Sequence, residues 1–210
     1  MQLTEEVLLR KLALLAPVCA LLFFAQFASA QQGDVFLGGG TLLSSSASSS
    51  SGNGYPAEKG GLYINLGGDV VFHKHVGVNI ETAWRATQGV YISGIENYRP
   101  ILTDFNLLYQ PHLGKKAGLD LMAGIGSGDT RFYAPGPSCS GCANYVSTDH
   151  FMEHLGGGIR YYVWHQVFVR PEIHYYHIQS NNNINNNGAF NSNNVFRVSA
   201  SIGYTFGGSQ

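Results

Sequence analysis

Charge is what this sequence has least of. Asp, Glu, Lys and Arg make up 12% of its 210 residues, about half the share usual in a soluble domain, and the formal net charge is −1. So weak a field excludes a surface built to gather nucleic acid. Lysine is scarcest: beyond residue 30 only Lys59, Lys74, Lys115 and Lys116 occur, each in a segment of turn or loop composition. Cysteine is limited to Cys19, Cys139 and Cys142, too few for a disulfide-built scaffold. After residue 30 no stretch approaches the ~20 apolar residues of a membrane-crossing helix. If the chain spans a membrane, it must do so as a closed barrel, which alone among sheets satisfies every backbone group in hydrocarbon. Walker loops, dinucleotide fingerprints and nucleophile elbows are missing too.

What is present begins with a leader. Arg10 and Lys11 precede the apolar run Leu12–Phe24, and Ala28-Ser29-Ala30 forms a small-residue cleavage site before Gln31. Residues 1–30 are therefore expected to be a signal peptide, leaving a single domain over residues 31–210. That domain is rich in Gly, Tyr and Phe, a composition that suits a wall in lipid better than a wet surface.

Apolar/polar alternation recurs about eight times in runs of about 9–12 residues, the length a tilted strand needs to cross a bilayer. Val76, Val78, Ile80, Thr82 and Trp84 oppose Gly77, Asn79, Glu81, Ala83 and Arg85. Val167, Val169, Pro171, Ile173 and Tyr175 oppose Arg170, Glu172, His174 and Tyr176. The connections alternate between long (44–61, 87–97, 127–150, 179–194) and short (73–75, 111–116, 164–166). Both termini then lie at one rim, with long loops at the opposite one. All-β architecture follows: a single antiparallel up-and-down barrel of about eight strands.

Arginine decides which face is inside. Arg85, Arg99, Arg160, Arg170 and Arg197 fall within the runs, with Asp69, Glu81, Asp104, Asp120 and Glu172 in neighbouring positions. Arginine and carboxylate without lysine describe an enclosed polar interior, since guanidinium binds carboxylate bidentately. Turning the wall inside out would put up to five arginines in lipid, at about 2–4 kcal/mol each near the midplane. A lumen network of these ten residues is expected, filling a cylinder just wide enough for side chains.

With these features the chain resembles the small eight-stranded outer-membrane β-barrels of the OmpA/OmpX type. The most specific piece is the final run, in which Val198, Ala200, Ile202, Tyr204 and Phe206 alternate with polar residues and end on an aromatic. The resemblance implies the outer membrane of a Gram-negative-type bacterium, a wall facing outer-membrane lipids, and recognition of the last strand by the barrel assembly machinery. In this family the chain commonly stops at the aromatic; here Gly207-Gly208-Ser209-Gln210 follows. A peptidoglycan-binding domain is not implied.

The remaining features are weighed in that setting. Cys139 and Cys142 are expected to form a local disulfide in the third long loop. The neighbouring His150 and His154 do not complete a zinc site of standard spacing, and no cofactor or metal is expected. His73-Lys74-His75 reads as a solvated turn. The leading function is a non-enzymatic barrel with a filled lumen, serving envelope structure or surface adhesion through its loops, whose extracellular ligand is open. A lipid-modifying enzyme remains an alternative, with His177 and Ser180 as its only nearby pair and no acid partner. A small channel and a lipocalin-like carrier complete the alternatives; the carrier needs the opposite polarity.

Overall fold

The computed structural model describes residues 32–44, 59–91, 96–133, 145–179 and 194–207. The expected signal peptide and the Cys139–Cys142 pair lie outside the described residues. The strands are β1 (Gln32–Ser44), β2 (Tyr63–His73), β3 (Val76–Arg85), β4 (Gly89–Tyr91), β5 (Glu96–Tyr109), β6 (Ala117–Tyr133), β7 (Val146–Trp164), β8 (Val167–Ile178) and β9 (Asn194–Phe206). All pairings are antiparallel. β1 joins β9, and β3 joins β5, so eight strands close on themselves, while β4 extends the line of β3 along the start of β5. Closure removes every free edge except at the rims. Two connections are two-residue turns, with Lys74 and His165 in the left-handed region at φ 47° and 44°.

Polarity is inverted relative to a soluble barrel. Leu155, Ile159 and Ile173 on the outer face are 57%, 52% and 56% exposed, while Arg160, Arg170 and Arg197 are at most 1% exposed. In hydrocarbon, exposed aliphatic side chains cost nothing and sheltered guanidiniums escape a large penalty. Tyr109, Tyr161, Trp164, Tyr204 and Phe206 face outward near the short turns, and Phe151 and Phe196 near the other end, as interfacial aromatic belts require. Phe168, near the short turns, and Tyr98, near the other end, instead point inward and are buried.

The inward glycines make room for rings. A Cβ on Gly203 would overlap the Phe168 ring, and one on Gly67 would overlap Phe36. Each ring thus lies against bare backbone on one side. Its neighbour on the other is a guanidinium, Arg160 over Phe168 at 4.2 Å and Arg170 over Phe36 at 4.0 Å. Gly203→Val is expected to displace Phe168 and destabilise the barrel by about 1–3 kcal/mol. Chemical unfolding in detergent, followed by gel mobility of unboiled samples, measures it. No loss would mean that the ring does not need that space.

Two strands outrun the sequence reading. β6 and β7 are 17 and 19 residues long, paired from Ala117↔Tyr161 to Phe132↔Val146. Much of the expected third loop, residues 127–133 and 146–150, is therefore paired strand. The cause is cross-strand hydrogen bonding, which extends through polar residues that carry no apolar periodicity.

Candidate functional site

The inward face builds two tiers of charge. In the tier nearer the short turns, Arg160 contacts Asp34 and lies 2.7 Å from Asp69 and 3.0 Å from Asp120. Arg170 lies 2.8 Å from the same Asp69 oxygen, 3.0 Å from the same Asp120 oxygen and 2.5 Å from Glu172. The other oxygens are also served. Asn79 donates to Asp69 at 2.6 Å, Gln110 donates to Asp120 at 3.0 Å, and Gln32 donates to Asp34 at 3.1 Å. Charge-assisted bonds of this density fix every member in place.

The second tier lies nearer the long loops. Arg197 contacts Glu81, and Glu81 stands directly opposite Asp104 in the β3–β5 register. Asn106 donates to Asp104 at 2.5 Å and to Asn79 at 2.8 Å, which leaves its carbonyl oxygen 2.6 Å from His154 Nδ1. His154 Nε2 is 2.9 Å from His174 Nδ1, and the two rings stack with Tyr176. Apolar layers close both ends. Leu42, Tyr63, Leu102, Met152, Ile178 and Val195 cover the upper tier. Phe36, Tyr162 and Phe168 with Val71, Leu108 and Met122 underlie the lower one.

Eight of the ten residues expected in the lumen network are brought together: Asp69, Glu81, Asp104, Asp120, Arg160, Arg170, Glu172 and Arg197. Arg85 faces inward at the mouth, half-buried, where its guanidinium reaches Tyr98 Oη at 3.3 Å. Its close neighbour in sequence, Glu81, is taken by Arg197 instead. Arg99 corrects the sequence reading outright. It shares the outward face with Ile101 and Thr103, stands opposite Arg131 in register, and donates to the Ala86 carbonyl at 3.5 Å. Its five-residue separation from Asp104 is odd, so a strand places the two on opposite faces. The sequence reading missed Asp34 as a network member, although its parity opposes that of Val35 and Leu37. It also missed the His154–His174 pair, whose ring contact joins neighbouring strands.

Beyond the lipid-facing residues Ile101, Ile125 and Phe151, the outer face of β5–β7 turns polar. Arg99 stands opposite Arg131, and Asp129 opposite Asp149. Ser127 donates to Asp129 at 2.6 Å, and the Arg131 guanidinium lies 4.8 Å over the Tyr145 ring. Just inside this ledge Glu153 faces outward opposite His177, which contacts Asn194 Oδ1 at 2.9 Å. Val198, Ile202, Tyr204 and Phe206 form the exposed face of β9, with Ala200 in the same outward register.

A closed eight-strand wall, greasy outside and charged within, is matched over residues 14–206 by the family model described as "Outer membrane protein beta-barrel domain". The chain belongs to this family. Its place is therefore the Gram-negative outer membrane. No curated protein sequence matches the chain. Among solved structures, this outer-membrane barrel is similar to Ail, the attachment invasion locus protein of Yersinia pestis, solved with the heparin analogue sucrose octasulfate. The two share 13% identity over 83% of this chain and 98% of that one, with a TM-score of 0.53. Neisserial surface protein A is 9% identical, covering 83% and 96%, with a TM-score of 0.56. The N-terminal barrel of Pseudomonas aeruginosa OprF is 10% identical, covering 84% and 98%, with a TM-score of 0.54. At these identities the likeness is one of fold.

Proposed function

We propose that this outer-membrane barrel is a sealed, non-enzymatic anchor that presents the β5–β7 rim and its loops for binding at the cell surface. The observation that carries this reading is the lumen: two tiers of ion pairs held between two apolar layers leave transport no continuous path. An immobile wall with function at its rim is the general pattern for scaffolds of this kind. The rim adds extended strands, paired arginines, paired aspartates and Tyr145, groups suited to polar and aromatic contacts. Assembly through the outward face of β9, closing against β1, completes the reading.

An enzymatic reading has less support. Among the described residues His177 is held by Asn194 rather than by an acid, and Ser180 lies outside them.

The test replaces the segment between the register partners Gly128 and His150 with a tight turn, in cells that display the protein. The shortened barrel is expected to fold, while adherence to surfaces or host material falls to the level of cells lacking the protein. Planar-bilayer recordings of the full-length barrel should show no stable conductance steps. Undiminished adherence would remove the rim from the function, and large steady steps would make the protein a channel.

A further inference from the structure

The upper tier holds more carboxylate than its arginine balances. Arg197 contacts Glu81, with Asp104 opposite Glu81 in the register, while Arg170, which meets Glu172, is shared with Asp69 and Asp120 below. Beside the excess sits His174, fully buried, whose Nε2 has no hydrogen-bond partner among the described residues and lies 3.8 Å from Glu172 Oε2. One oxygen of Glu81, one of Glu172 and one nitrogen of His174 lie within 4.8 Å of one another.

The hydrogen bonds fix what that nitrogen presents. The Asn106 amide group is committed as a donor to Asn79 and Asp104, so its oxygen accepts from His154 Nδ1–H. His154 Nε2 then accepts from His174 Nδ1–H. Above pH ~7, where imidazole is ordinarily neutral, His174 Nε2 is left with a bare lone pair aimed among carboxylates. Three electron-rich atoms converging in a dry interior repel one another unless something positive lies between them.

We propose that Glu81, Glu172 and His174 form a buried site for a first-row divalent cation, with zinc the best match. One neutral imidazole and two carboxylates are a donor set zinc accepts. The outer groups are already in place. The ligating imidazole donates its other N–H to His154, which is itself oriented by Asn106, and the carboxylates are held by Arg170 and Arg197. Such supports are what metal ligands ordinarily require. Zinc bonds of about 2.0–2.2 Å need the ligand atoms to draw together by about 1 Å, an adjustment within the flexibility of two glutamate side chains. Because apolar layers cover the tier, the ion enters during folding and is retained afterwards. His154 is a positioning residue here.

The barrel is folded from denaturant into detergent with zinc chloride, washed with a chelator and analysed by mass spectrometry for metal. About one zinc per chain should survive the wash in the wild type. It should also survive in His75→Gln, which alters the His75–His112 pair at the short-turn rim. Glu81→Gln and His174→Gln should lose it, with heat-modifiable gel mobility showing that they fold. X-ray absorption of the retained zinc should give nitrogen and oxygen neighbours only. If the folded wild type retains no zinc, or if His75→Gln removes what was bound, the site is not there. The wild-type result decides the matter even if a variant fails to fold.

Discussion

Arg160→Met is expected to destabilise the folded barrel by about 3–5 kcal/mol, because removing one partner of a buried ion pair leaves the others uncompensated. Asp34, Asp69 and Asp120 converge on this guanidinium from β1, β2 and β6, so three strands lose a common partner. Without it Arg170 alone faces Asp69 and Asp120, and Asp34 keeps only Gln32 from the contacts described above. Adding Asp34→Asn to the variant should recover part of the loss, since coupled neighbours are not additive. Arg99→Met, on the outer rim with a backbone carbonyl as its contact, should shift stability by no more than about 0.5 kcal/mol. Urea unfolding in vesicles, followed by the mobility of unboiled samples, measures all three. Equal effects for Arg160 and Arg99 would contradict the inward network.

A charge on the other face should cost nearly as much for a different reason. Ile159 faces outward from β7 between Phe151 and Trp164, opposite Leu119. Ile159→Arg is expected to cost about 2–4 kcal/mol and to lower the yield of folded barrel in membranes, because guanidinium must enter hydrocarbon. Asp149→Arg, on the same strand face but beyond Phe151, should cost about 0–1 kcal/mol, as near an interface. The contrast turns chiefly on depth. If both variants behaved alike, the exposed apolar face would not lie in lipid.

The wall was legible because its period is simple. Alternation around Val76–Arg85 and Val167–Tyr176 assigned both faces correctly, since lipid penalises charge on the outward face most steeply near the midplane. The same rule failed where lipid ends. Ser127, Asp129 and Arg131 continue β6, but beyond the hydrocarbon nothing requires alternation, so their composition resembles a loop. Arg99 was misplaced because its residue type was weighed above its parity with Ile101. Within the network, nearness in sequence names partners unevenly: Arg170 meets its neighbour Glu172, whereas Glu81 meets Arg197 on another strand rather than Arg85 nearby.

The sequence alone determined a closed barrel, its inside-out polarity and its family, because the bilayer penalises every departure from an apolar outer face and every unpaired backbone group. Tertiary structure alone decided which carboxylate meets which guanidinium, how far β6 and β7 project, and that His154 and His174 share a hydrogen bond beside Glu81 and Glu172. Those contacts depend on register and closure. Arg160 and Asp34 are 126 residues apart, and only a ring of strands with a fixed stagger brings them together.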